Sequence, residues 1–260
     1  MGTDAYAPYL DRVVAGGVKI LSYDCYAQMY QNKVGYDDYF NNLREQMLAS
    51  KRNGVPFWNI VLCAGHYDYM CPSKDDLLWQ LNTSVAHGAK GIGWFLLDIP
   101  DGHNYRNAPI NLLGERTPEY YALAEVNRTF NEYHGRVFSA LEIEECYHVC
   151  KAWGGMPLFE PFGCVLEIES RNELPLIASG YSDGEGGKYF SVCNNSTTEV
   201  ASVTLRVKDD VEIERCYFGN RFGTPTSLTD PVGELYNKGG NTKTYTFFLS
   251  PGQIALFREI

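Results

Sequence analysis

Asp24, Tyr26, His66, Asp68, Asp98 and Asp101 each stand just past the end of a short apolar run in the sequence. Carboxylates in such positions accept hydrogen bonds from hydroxyl groups or work as an acid and base pair. A phenol or imidazole beside them completes a rim of donors and acceptors. Trp94, inside the run Ile92–Leu97, adds a flat ring that can floor a subsite if it points to the same end. Each residue also has a plainer role. Asp is a favoured turn and cap residue, a lone His is often structural, and a strand Trp often packs in a core. Their chemistry therefore depends on the elements that carry them.

Those elements are legible for the first half of the chain. Asp4–Ala15 predicts a short helix stopped by Gly16 and Gly17, and Val18–Tyr23 reads as a strand. Asp37–Asn53 carries Tyr39, Phe40, Leu43, Met47 and Leu48 at helical spacing and stops at Gly54. Phe57–Cys63 is a second apolar run, and Ser73 caps a helix whose stripe is Leu77, Leu78, Leu81 and Val85. Ile92–Leu97, preceded by Gly88, Gly91 and Gly93, predicts a third strand buried on both faces. Thr117 and Pro118 open a last helix, with Leu123, Val126, Phe130, Tyr133 and Val137 three or four apart. Strand starts about 35 residues apart are the period of a βαβ unit. This pattern suits a doubly wound sheet or a piece of a (β/α)8 barrel, and both carry chemistry past the C-terminal ends of their strands.

After about residue 140 the pattern changes. Tyr147–Ala152, Cys164–Glu169, Leu176–Tyr181, Lys188–Asn194, Ala201–Val207, Val211–Phe218, Lys243–Leu249 and Gln253–Arg258 alternate like short strands. Turn residues at Asp183–Gly187 and Asn237–Asn241 separate some of them. The expected organisation is α/β over residues 1–140, followed by an all-β antiparallel sandwich or small barrel over 141–260. Glu142, Glu144 and Glu145 read as a solvated charge run between the two parts, and Glu115 and Glu119 as helix-end partners.

Composition removes several function classes. The 260 residues carry a net charge of −10 with no Lys/Arg-rich block, which argues against nucleic acid or an anionic membrane as partner. No apolar run approaches the roughly 18 residues of a membrane span. The first residues lack the basic and apolar regions of a signal peptide, so a cytoplasmic protein is expected if Met1 is the true start. The turns between strand and helix hold neither G-x-G-x-x-G nor G-x-x-x-x-G-K-[ST], so no nucleotide cofactor is expected. Cys146, His148 and Cys150 lack a second ligand pair at zinc spacing, and no metal is expected either. The eight cysteines read as reduced thiols. Asn82, Asn127, Asn194 and Asn195 head Asn-x-Ser/Thr triplets, which are common by chance. The 19 Tyr and 4 Trp supply ring surface for a core or for stacking.

Several stretches carry a resemblance. Ile20–Tyr26 (ILSYDCY), Val55–Trp58 (VPFW), Ala86–Phe95 (AHGAKGIGWF) and Gly114–Tyr120 (GERTPEY) resemble the late strands and last helix of β-galactosidase-like glycoside hydrolase barrels. Tyr189–Asn195 (YFSVCNN) and Leu249–Gln253 (LSPGQ) resemble the C-terminal β-domain of such enzymes. The resemblance implies the late part of a (β/α)8 barrel followed by a β-sandwich, acting on O-glycosidic bonds. Asp24 and Asp98 would be the catalytic candidates, and Tyr26, His66, Asp68, Trp94 and Asp101 would hold carbohydrate. The family places its nucleophile, a Glu, at the end of the seventh strand, yet Phe57–His66 holds no carboxylate. Its acid/base lies on a fourth strand that these strands do not include. Two expectations follow: a glycoside hydrolase portion, or a non-catalytic carbohydrate-binding or assembly module. The open edges of a few parallel strands predict self-association or a partner chain that completes the barrel.

Overall fold

The computed structural model describes residues 3–32, 35–100, 104–225 and 242–260, and Asp101 and the turn at 237–241 lie outside them. The chain divides into two compact units. One runs to Arg128 and takes in Trp153–Met156; the other is Thr129–Ala152 with Pro157–Ile260. Residues 129–140, expected with the first part, thus go with the second.

The first unit holds strands β1 (Leu21–Asp24), β2 (Phe57–Leu62) and β3 (Gly91–Phe95), parallel and in that spatial order. Helix α1 (Thr3–Ala15) precedes them, and α2 (Tyr36–Asn53) and α3 (Lys74–Ala86) are the two crossovers. Local chemistry sets the ends of these helices. Gly54 closes α2 in a left-handed conformation at φ 63°. Ser73 and Asp76 form a reciprocal capping box that starts α3.

Helices α2 and α3 pack together through Tyr39, Phe40 and Trp79, with ring centroids 5.1 and 5.9 Å from Trp79. Both therefore cover the same face of the sheet. Polar ties fix that face, since Asn59 Nδ2 donates to Ser84 Oγ at 2.8 Å and Gln80 Nε2 donates to the Leu62 carbonyl at 2.9 Å. Buried amides bonded in this way are worth far more than their net energy, because losing one partner strands the other. The opposite face carries Ser22, Asp24, Trp58, Ile60, Gly91 and Gly93 by strand alternation and register. Ser22 and Asp24 are exposed, and Trp58 keeps 43% of its surface in solvent. Gly91 is required there, because a Cβ would stand 2.4 Å from the Trp58 ring.

α4 (Pro118–Phe130) continues through a π-helical turn (Asn131–Gly135) into α5 (Arg136–Ala140). Phe138 meets Tyr181 edge-on at 5.5 Å and Tyr133 meets Phe218 at 5.6 Å. Those contacts tie the end of the helix to the second unit.

After α5 the described strands of that unit are β4 (Glu142–Val149), β5 (Val165–Ser170), β6 (Leu176–Ser182), β7 (Lys188–Asn194), β8 (Ala201–Lys208), β9 (Ile213–Tyr217), β10 (Arg221–Gly223), β11 (Thr242–Leu249) and β12 (Ile254–Glu259). A six-stranded sheet runs β10-β9-β12-β7-β6-β4 and a three-stranded sheet runs β11-β8-β5, with every pairing antiparallel. Val149, Leu176, Ala178, Phe190, Val192, Ala255 and Phe257 of the larger sheet share one core with Val165, Ala201, Val203, Leu205, Val207, Phe247 and Leu249 of the smaller. Strand β8 shows why, since its residues alternate buried and half-buried from Ala201 to Val207. Glu142, Glu144 and Glu145 lie on β4, an edge strand, where exposed charge disfavours further pairing. Among the described residues, no helix is long and apolar enough to cross a membrane.

Candidate functional site

Parallel strands deliver everything that follows their last residues to one end of the sheet. At that end the loop after β1 folds into a 3₁₀ turn, Ala27–Met29, and pairs with the loop after β2. The Gln31 N–H donates to the Asp68 carbonyl at 3.3 Å and the Met70 N–H to the Met29 carbonyl at 2.9 Å. The loop after β3 then joins the loop after β2. Gly65 and Arg106 exchange backbone bonds of 3.0 and 2.9 Å, and the Tyr67 N–H donates to Asn104 Oδ1 at 3.0 Å.

Arg106 finishes the join, its guanidinium donating to the carbonyls of Tyr69 at 2.8 Å and of Tyr67 and Asn104 at 3.3 Å. Five donors in a planar fork suit an arginine to this clamp.

Within the joined loops lies an aromatic cluster. His66 stacks on Tyr105 at 4.9 Å, and Tyr69, Phe95 and Tyr26 surround it at 5.0, 5.5 and 6.0 Å. Tyr26 in turn stacks on Phe95 at 5.5 Å, and Tyr30 on Tyr69 at 4.8 Å. Below the cluster, Met29 and Leu62 are buried with Tyr26, and Ile60 and Met70 pack against them.

Charge is placed at the margin of this cluster. Tyr26 is 7% exposed and its hydroxyl has no hydrogen bond of ordinary geometry. Burial first, and then the nearby Asp24 carboxylate, push its pKa well up, so it stays a protonated phenol. Burial, the Tyr30 hydroxyl, Cys25 and Asp24 raise Tyr69 in the same direction. Burial holds His66 below its ordinary pKa, and the Arg106 charge adds to that effect. Its Nδ1 lies 3.4 Å from the Ala64 carbonyl, which opposes the shift and fits a neutral ring protonated on Nδ1.

Asp24, Tyr26 and His66 are thus brought together around one cluster. Asp68 and Asp98 are exposed at the same end of the sheet. The chain beside Asp98 is fixed by the Ile110 N–H, which donates to the Leu97 carbonyl at 2.8 Å. Asp101 falls outside the described residues.

Trp94 is not part of the cluster. Alternation along β3 turns it away from Phe95, and its Nε1–H donates to Asn127 Oδ1 on α4 at 3.1 Å.

Tyr30, Tyr69, Tyr105 and Arg106 belong to the cluster although nothing in their spacing singles them out. The signal available for them was their position in loops that leave parallel strands. Cys146 and His148 sit buried in β4, and Cys150 is exposed just beyond it. Among the described residues, no group of three or more His, Cys, Asp or Glu side chains could hold a metal ion.

No family model matches the sequence, and no curated protein matches it. Solved structures that it resembles include glycoside hydrolases. A family 39 glycoside hydrolase from Bacteroides cellulosilyticus WH2 shares 14% identity over 96% of this chain and 46% of its own, at a TM-score of 0.40. The GH51 arabinofuranosidase of Xanthomonas axonopodis pv. citri shares 8% identity over 99% of this chain and 56% of its own, at 0.36. A GH27 β-L-arabinopyranosidase from Geobacillus stearothermophilus shares 11% identity over 99% of this chain and 61% of its own, at 0.26. The chain spans between 46% and 61% of the length of these three proteins.

Proposed function

We propose that the strand-end cluster binds carbohydrate, in a carbohydrate-active protein of the glycoside hydrolase class. On this reading the three-stranded unit is the late part of a β-galactosidase-like (β/α)8 barrel, the second unit is its C-terminal β-sandwich, and the chain is the C-terminal portion of such an enzyme. The observation that carries the reading is the meeting of Asp24, Tyr26 and His66 at the end of the sheet where parallel strands present their loops. Sugars offer hydroxyls to carboxylates and phenols, and C–H faces to aromatic rings. Asp24 and Asp98 are the catalytic candidates, with Asp68 as a further acceptor. A partner chain or second copy pairs with the open edges of β1 and β3 and completes the barrel, enclosing the face that carries Trp58.

Asp24 ends β1 and Asp98 follows β3, with β2 between them. The register sets Asp24 level with Gly93, so Asp98 stands five residues further along the chain than that level, in the loop after β3. Retaining hydrolysis needs its two carboxyls about 5–5.5 Å apart, and inverting hydrolysis about 6.5–9.5 Å.

A second reading, a non-catalytic carbohydrate-binding module, is favoured by one observation: β2 and its continuation to His66 hold no carboxylate. Turnover of a panel of aryl glycosides by wild type, Asp24→Asn and Asp98→Asn separates the two. An enzyme loses activity in at least one variant. A binding module turns over nothing in any form but retains sugar. Absence of both turnover and affinity would dismiss the carbohydrate proposal altogether.

A further inference from the structure

We infer that this chain reaches its native fold only where Asn-x-Ser/Thr motifs are left unmodified, because the fold buries the Asn of three of its four. Such motifs are glycan acceptors on surface loops of secreted proteins. Glycosylation joins the Asn Nδ2 to the anomeric carbon of a sugar carried on a lipid pyrophosphate, and releases the lipid pyrophosphate and one amide proton. The product needs an outward-facing Nδ2 with room for a bulky polar group.

Three of the four acceptors fail to meet that need. Asn194 is 0% exposed, and its Nδ2 lies 2.8, 3.0 and 3.1 Å from the carbonyls of Glu199, Ser250 and Leu249. Its Oδ1 accepts the Ser196 N–H at 3.1 Å, so the whole amide ties β7 to the segment after β11. Asn195, next to it, is 4% exposed.

Asn82 is 2% exposed on α3. The hydroxyls of its motif are also committed, with Thr83 Oγ1 donating to the Trp79 carbonyl at 2.8 Å and Ser84 Oγ to the Gln80 carbonyl at 2.7 Å. Asn127 is half-buried and holds the Trp94 indole through its Oδ1.

Burial does not protect these residues in a glycosylating lumen, where the glycan is added before the chain folds. It turns each modification into a block on folding, because a glycan cannot be carried into a packed interior. The thiols point to the same environment independently. All eight cysteines are free, with Cys63, Cys146, Cys164, Cys193 and Cys216 buried, a pattern that belongs to a reducing compartment.

The test is to express the full chain in yeast in two forms, one cytosolic and one with a cleavable leader into the endoplasmic reticulum. The second form is made with and without tunicamycin, which stops assembly of the lipid-linked sugar. Folding is read by a cooperative melt, and glycan occupancy by mass spectrometry after enzymatic release. The expected result is a folded cytosolic chain and a misfolded lumenal chain glycosylated at Asn82, Asn194 or Asn195, whose folding tunicamycin restores. Secretion of a folded chain without the drug, glycosylated or bare, overturns the inference. Misfolding that persists under tunicamycin overturns it equally, because the damage then has another cause.

Discussion

The two units bury their sheets in different ways. In the second, two antiparallel sheets turn their inner faces to each other, and Phe190 and Phe257 stack at 4.9 Å in a common core. In the first, a parallel sheet is covered by α2 and α3 on one face, while the other presents Trp58, Ser22 and Asp24 to solvent. Parallel sheets are normally covered on both faces. The contrast teaches that the β unit closes its apolar faces on each other, whereas the other unit leaves one sheet face and its strand end within reach of solvent.

Four outcomes break or sharpen that contrast. Phe257→Ala in the closed core should cost about 3–5 kcal/mol and abolish the cooperative melt of the β unit, read by calorimetry. A loss below about 1 kcal/mol would mean that the two sheets do not depend on a common core.

Acidification should weaken both units alike. Burial holds His87 in the first and His134 in the second at pKa values of about 4, below the ordinary imidazole value of 6.5. The unfolded chain therefore binds more protons between those values, and stability is lost as pH falls from about 6.5 towards 4. Each histidine contributes on the order of 3 kcal/mol, so His87→Gln and His134→Gln should each flatten the melting temperature against pH for their own unit.

Trp58→Ala should cost only about 1–2 kcal/mol, because much of the indole is already in water. A cost matching that of Phe257→Ala would show that something covers the open face in solution. Ser73→Ala should cost about 1 kcal/mol through loss of the capping box of α3, measured by denaturant melts.

Much of the fold was legible because it rests on local chemistry. Gly54, the Ser73 cap and the apolar stripe of α2 bounded their helices, and alternation marked most of the β strands. The misses have tertiary causes. Val18 and Ile20 are exposed although the run reads as strand, because pairing starts only at Leu21, whose N–H meets the Pro56 carbonyl at 3.0 Å. The run from Ile92 was expected to be buried on both faces, but β3 is half-buried throughout at the sheet's edge. The residues around 130–140 continue a helical period, so nothing local announces that Phe138 and Tyr133 pack against the β unit.

The site divides in the same way. Asp24, Tyr26 and His66 were placed by strand ends alone. Tyr69, Tyr105 and Arg106 depend on how three loops close over one another, which no short-range pattern encodes. Trp94 shows the limit of residue type, since the period-two direction of β3, set by its neighbours, decides which side the ring takes.

The central claim is that the strand-end cluster of the first unit, and not the β unit, holds sugar. Ring resonances of the five histidines report on both units at once, and the measurement is their response to neutral methyl glycosides added in excess. The account predicts that His66 shifts on binding while His87, His134 and His148 stay still. An unmoved His66, or shifts confined to His134 and His148, would contradict it.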